Sequence, residues 1–268
     1  MKHVLELDDV RFEIDPDVGG RVTSFRLGGF EVLSGPEVDA DNYGSTFWTS
    51  PQKDWGWPPP HEVDRSPYDV QADGDTLLLT SRLHEPQLGV RITKRFSLDR
   101  ARRAVELEYG IHNLSDAPKT YAPWEVSRVR SRGLTFFPTG AWLEGPLPVE
   151  RCDTATWFCH DPAVHTDDGQ KSVADGTGGF VAHATDGHLF LKKFTDVPPD
   201  RLAPGQGEIE IYANKRYVEV EVQGPYARID AGASATWAVT WYLRKLPAGL
   251  VATSRSAELL AFTATVAV

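Results

Sequence analysis

Between Tyr217 and Leu243 the chain reads YVEVEVQGPYARIDAGASATWAVTWYL, and Val218, Val220 and Val222 alternate there with Tyr217, Glu219, Glu221 and Gln223. Successive side chains of a strand leave opposite faces, so this period of two commits the segment to a half-buried strand with a polar row turned away from the core. Glu219 and Glu221 leave the same face. Two like charges that close raise at least one carboxyl pKa unless a cation intervenes, and a raised carboxylate suits a general base near neutral pH. The plain alternative is an exposed face with two solvated glutamates. Pro225 and the Asp230-Ala231-Gly232 cluster then turn the chain, and Trp237, Val239, Trp241 and Leu243 form a second alternating strand.

The same pattern recurs along the chain. Short runs at Arg11–Ile14, Arg21–Phe25 and Phe30–Leu33 are separated by Asp-Pro-Asp and Gly-Gly turns, and further alternating runs lie at Thr76–Thr80, Val90–Lys94 and Val105–Tyr109. The run His188–Phe194 places Leu189 and Leu191 inward and His188, Phe190 and Lys192 on the other face, and a strand over Glu208–Tyr212 leads back to the polar row. Only the tail from Ser254 to Phe262 has helical composition, with a Ser cap and a Glu in its first turn. Many strands with almost no helix predict an all-β chain, a large antiparallel β-sandwich, read as one domain over residues 1–268.

A formal charge of −10 argues against nucleic-acid or anionic-membrane partners, which need clustered Lys and Arg. No apolar leader precedes Asp8 and no long apolar run follows, so a cytoplasmic location is expected. Cys152 and Cys159 are expected to be reduced. In the irregular region CDTATWFCHDPAVHTDD, the group Cys159, His160, His165, Asp167 and Asp168 fits no zinc spacing, so a polar loop and no metal or other cofactor are expected.

Eight Trp, eight Tyr and twelve Phe exceed the needs of a compact core, which points to rings at a surface that stacks on something. The segment YGSTFWTSPQKDWGWPPP, Tyr43 to Pro60, reads as a long loop stiffened by Pro58, Pro59 and Pro60, carrying Trp48, Trp55 and Trp57, with His61 just beyond. Aromatic faces on a rigid scaffold suit carbohydrate, whose C–H groups pack on rings. The competing reading is that the rings plug the end of the sandwich.

Several of these motifs together resemble the galactose mutarotase (aldose 1-epimerase) superfamily. They are DPDVGGRVTSFRLGGFEVL near the start, the Asn113, Asp116, Pro118 turn after a central strand, and the Glu-x-Gln, Pro, Gly232 and Trp succession at the end. Gly44, Trp48 and Pro51 are similar to a motif of a bacterial branch of that superfamily. The resemblance implies a mutarotase-like sandwich, a small-molecule carbohydrate partner, and a glutamate base that deprotonates the anomeric hydroxyl. The Glu-x-Gln spacing favours Glu221, and counting back from Gly232 favours Glu219. It also implies a histidine acid in the strand after Asn113, where this chain has Trp124, Glu125, Val126 and Ser127.

That histidine is missing, so the expected chemistry divides. Either Glu125, desolvated by Trp124, supplies the acid, or an imidazole elsewhere such as His61 or His188 does, or the protein binds sugar without turning it over or does different chemistry. The candidate catalytic residues are Glu219, Glu221 and Glu125. The candidate sugar contacts are Trp48, Trp55, Trp57, His61, Trp124, Tyr212, Gln223 and Lys192. Carboxylates in an acidic chain predict a neutral or cationic sugar over a sugar phosphate.

Overall fold

In the computed structural model, which describes residues 1–82, 84 and 86–267, two large antiparallel sheets pack across a shared core. The first runs, edge to edge, His3–Leu7, Val10–Asp15, Arg21–Leu27, Ser45–Ser50, Lys119–Arg130, Tyr217–Gln223, Ile209–Ala213, Gln170–Gly176 and Thr139–Glu144. The second runs Glu150–Arg151, Thr156–His160, Gly133–Phe137, Phe180–Thr185, His188–Phe194, Ser234–Lys245, Ala104–Asn113, Val90–Asp99, Thr76–Ser81 and Tyr68–Asp73. The expected antiparallel sandwich is therefore what forms. Among the described residues, no helix is long and apolar enough to cross a membrane.

The two halves of the 217–243 stretch are not neighbours. Tyr217–Gln223 sits at the centre of the first sheet and Ser234–Lys245 in the second, with Ala227–Ile229 between them against Lys119–Arg130. Val218, Val220 and Val222 enter the inter-sheet core, where Phe12 meets Trp241 at 5.7 Å and Phe25 meets Phe190 at 5.9 Å between ring centroids. Each large side chain buried there contributes about 1.5–3 kcal/mol before entropy is counted.

Three expectations about individual segments change. Ser45–Ser50 is a strand, not loop, and all six of its residues are buried between Lys119–Arg130 and Arg21–Leu27. A strand covered on both faces loses the alternation that marks it, and small Ser and Thr fill the tight positions. Its entry depends on Gly44 at φ +62°, where a Cβ would collide with the Val22 carbonyl. Beyond it, the Trp57–Pro58 bond is cis and Pro60 leads into the short helix His61–Asp64, so the prolines do not make a uniform extended run.

The strand His188–Phe194 is buried on both faces. Leu189 and Leu191 lie under the helix Ala257–Val266 in a second core with Leu134, Phe136 and Trp157. That helix is capped by Ser256, whose hydroxyl accepts from the Leu259 amide at 3.1 Å. Phe190 and Lys192 point to the inter-sheet core instead. Thr156–His160, expected as polar loop, is likewise a strand of the second sheet, paired with Gly133–Phe137.

Candidate functional site

Strand pairing sets out the outer face of the first sheet in rows. Arg128, Glu219, Tyr212 and Lys171 are register partners across four strands. Thr46, Val126, Glu221, Glu210 and Val173 form the next row, and Trp48, Trp124 and Gln223 the third. Because alternate residues share a face, Val218, Val220 and Val222 hold the core side while Glu219, Glu221 and Gln223 are presented here together.

Over these rows opens a cavity of about 450 Å³. Its aromatic wall is Trp48, Trp57, Trp124, Tyr212 and Tyr217, and its polar wall is Asn42, Gln52, Lys171, Arg216 and Glu219. Trp48 and Trp124 meet edge to face at 5.3 Å, and Trp57 meets Trp48 at 6.1 Å. The Trp48 indole donates to Asp64 Oδ1 at 2.8 Å, and Asp64 in turn pairs with Arg21 at 3.2 Å, so the short helix anchors the wall. Trp55 is half-buried behind it, against Trp48 and Trp124, with its indole on the Thr49 carbonyl at 2.8 Å.

The charges at the base of the cavity are interlocked. Arg128 Nε donates to Glu219 Oε1 at 2.8 Å, and its other arm reaches Thr46 Oγ1 at 3.1 Å. Lys171 Nζ lies 2.6 Å from Glu210 Oε2 and 2.9 Å from Glu221 Oε2, and sits over the Trp124 ring at 4.5 Å. Trp124 Nε1 donates to the same Glu221 oxygen at 2.8 Å. Gln223 Nε2 donates to Glu210 Oε1 at 2.7 Å.

Burial, more than mutual repulsion, raises both carboxyls of the polar row. For Glu219 desolvation is the largest cause, opposed by Arg128 and reinforced by Glu221. For Glu221 desolvation again leads, opposed by Lys171 and reinforced by Glu210. Burial alone would lower Lys171, but Glu221 and Glu210 outweigh it and lift the ammonium above its ordinary range.

The sequence candidates therefore separate. Glu219, Trp48, Trp57, Trp124 and Tyr212 line the cavity. Glu221 and Gln223 share its face but are fully buried beneath Lys171 and Trp124, outside the wall. Glu125 is corrected: it pairs with Val222 and Phe47, on the opposite side of the strand from Trp124, and is buried in the inter-sheet core. Lys192 is corrected too, since its Nζ lies 3.0 Å from Glu125 Oε1 in that core. His61 is exposed on the short helix, bonded through Nδ1 to Ser66 Oγ at 3.0 Å, and His188 stacks on Phe30 at 3.9 Å. Among the described residues, no histidine lines the cavity.

The sequence does not single out Arg128, Lys171 or Glu210. Glu210 lies on an alternating segment, so its face is readable, but Lys119–Arg130 and Gln170–Gly176 show no such alternation, and Arg128 and Lys171 meet glutamates 91 and 50 residues away.

Trp57 and Trp48 allow the wall to be tested against the core. Trp57 is 62% exposed and Trp48 only 3%. Trp57→Ala is expected to leave stability within about 0.5 kcal/mol of the parent's, as for a ring outside the core. Trp48→Ala is expected to remove about 3–5 kcal/mol of stability, read by chemical denaturation.

The sequence matches no protein-family model and no curated protein. Solved structures do match. The galactose mutarotase related enzyme from Lactobacillus acidophilus superposes with a TM-score of 0.65 at 10% identity, covering 94% of this chain and 100% of that one. The galactose mutarotase-like protein from Lactobacillus casei gives 0.63 at 12%, covering 91% and 100%. The Slr1438 protein from Synechocystis sp. PCC 6803 gives 0.62 at 14%, covering 91% and 96%. The chain has the galactose mutarotase-like β-sandwich fold.

Proposed function

We propose that the chain is a carbohydrate-binding protein that takes one sugar unit in the cavity over Glu219. The observation that carries this reading is the wall itself: indole and phenol faces from Trp48, Trp57, Trp124, Tyr212 and Tyr217 surround one carboxylate and a few polar ends. Rings pack on the apolar face of a pyranose while the polar groups meet its hydroxyls. The cavity volume, about 450 Å³, lies within the range of small-molecule sites.

Turnover is a separate matter. Opening a sugar ring needs a base at the anomeric hydroxyl and an acid at the ring oxygen. Glu219, raised by burial and facing the cavity, has the character of the base. The other proton-bearing groups of the wall do not suit the acid: Lys171 is held protonated by its two glutamates, burial lifts the Tyr217 phenol, the Tyr212 hydroxyl donates to the Asp168 carbonyl at 2.9 Å, and Arg216 does not give up its proton. The cavity therefore favours binding over epimerisation.

Calorimetric titration with hexoses tests the first part, and polarimetry with α-galactose or α-glucose tests the second. Measurable binding with no acceleration of anomer exchange is expected. Fast mutarotation would show that an acid operates, and a loss of about 100-fold in Glu219→Gln but not in Glu221→Gln would then identify Glu219 as the base.

A further inference from the structure

We propose that the sugar bound over Glu219 carries a protonated amine, so that the ligand class is an amino sugar; this rests on the sugar-binding reading above. By formal charge, three carboxyl groups, Glu210, Glu219 and Glu221, meet two cations, Arg128 and Lys171, so the ion pairs leave one carboxyl group without a cation of its own. The remaining cation of the wall, Arg216, is answered by Asp39 at 2.8 Å.

The donors at the base of the cavity are committed. Lys171 directs its ammonium to Glu210, Glu221 and the Trp124 face, while Arg128 holds Glu219 and Thr46. At the base, an anionic substituent on the ligand would have to break one of these pairs and would also face Glu219; elsewhere on the wall it would meet only Arg216, which is paired with Asp39, and the Asn42 and Gln52 amides. An acceptor, by contrast, is free. Glu219 Oε1 takes the Arg128 bond, and Oε2 has no hydrogen-bond partner among the described residues although Glu219 lines the cavity. On the same strand face but beneath the wall, Glu221 Oε1 and Gln223 Oε1 are buried acceptors without a hydrogen-bond donor among the described residues.

An ammonium supplies what this arrangement lacks: one positive charge and several donors, with no acceptor to be desolvated. The aromatic wall acts in the same direction, because the negative faces of indole and phenol rings attract a cation. Burial of Glu219 strengthens the attraction by limiting solvent screening.

The test is calorimetric titration of the intact protein at neutral pH and low salt with galactosamine, galactose, N-acetylgalactosamine and galactose 6-phosphate. Galactosamine is expected to bind about ten-fold or more tighter than galactose, the scale of one charge-assisted hydrogen bond, and N-acetylation is expected to remove that advantage. Raising the salt should narrow the gap. Equal affinities for galactosamine and galactose would overturn the amine assignment and leave the sugar site standing. Tighter binding of galactose 6-phosphate than of galactosamine would overturn it as well. If none of the four binds, the sugar reading falls with it. In Glu219→Gln the preference for galactosamine over galactose is expected to disappear, and its persistence in a folded variant would also count against the proposal.

Discussion

Lys192→Met is expected to cost the fold about 3–5 kcal/mol, the scale seen when one partner of a buried ion pair is removed. Glu125 and Lys192 are both fully buried, and their atoms are 3.0 Å apart. The Glu125 carboxylate also accepts from Trp241 Nε1 at 3.0 Å and from Tyr109 Oη at 2.8 Å, while Lys192 donates to the Val220 carbonyl at 2.6 Å. Removing the ammonium leaves a charge in the inter-sheet core with only two neutral donors. Urea denaturation should show the midpoint of Lys192→Met far below that of the parent. The double variant Lys192→Met with Glu125→Gln should recover much of the loss, since no unpaired charge then remains. A Lys192→Met protein of parental stability would mean that the pair is not a structural element of the core.

The second large effect is a loss of stability in mild acid. On the outer part of the second sheet, Thr135 Oγ1 lies 2.9 Å from His160 Nε2 and 2.9 Å from His183 Nδ1, and His165 stands 5.8 Å from His160 between ring centroids. Burial lowers His183 from 6.5 to about 4, and burial with the neighbouring imidazoles pushes His160 well down. Both rings are therefore neutral in the folded chain, whereas the unfolded chain takes up protons below about 6.5. Stability is expected to be whole above that value and to fall as pH drops from about 6.5 to about 4. A shift of that size corresponds to about 3 kcal/mol for His183 alone. His183→Asn, which keeps a polar atom near Thr135, should flatten the dependence of the thermal midpoint on pH over this interval. A midpoint that falls as steeply in the variant would place the acid sensitivity elsewhere.

Of these three histidines the sequence shows only His160 and His165 among possible metal ligands. His160 and His165 were read together with Cys159, Asp167 and Asp168 because they are close in sequence. Strand pairing keeps His165 within 5.8 Å of His160 but adds Thr135 and His183, which the sequence places 25 and 23 residues from it. Proximity along a chain says little about proximity across a sheet, where the neighbour of a residue belongs to another strand.

The candidate site shows the same division. The alternation of Val218, Val220 and Val222 with Glu219, Glu221 and Gln223 determined that the three polar residues share a face, because backbone pleating makes that assignment locally. It also made the antiparallel sandwich legible, since period two recurs through most of the chain. Glu125 is a candidate because it stands where the resemblance implies a histidine, and Lys192 because alternation puts it on the face away from Leu189 and Leu191. Their faces turn to the inter-sheet core, and which side of a strand meets the other sheet depends on where its partners sit. The cations that decide the state of the glutamates, Arg128 and Lys171, arrive from strands 91 and 50 residues away. Local periodicity sets which side chains leave a strand together. What they meet is set by non-local hydrogen bonding between strands, and only the assembled sheets place a glutamate beside an arginine in one case and beside a buried lysine in the other.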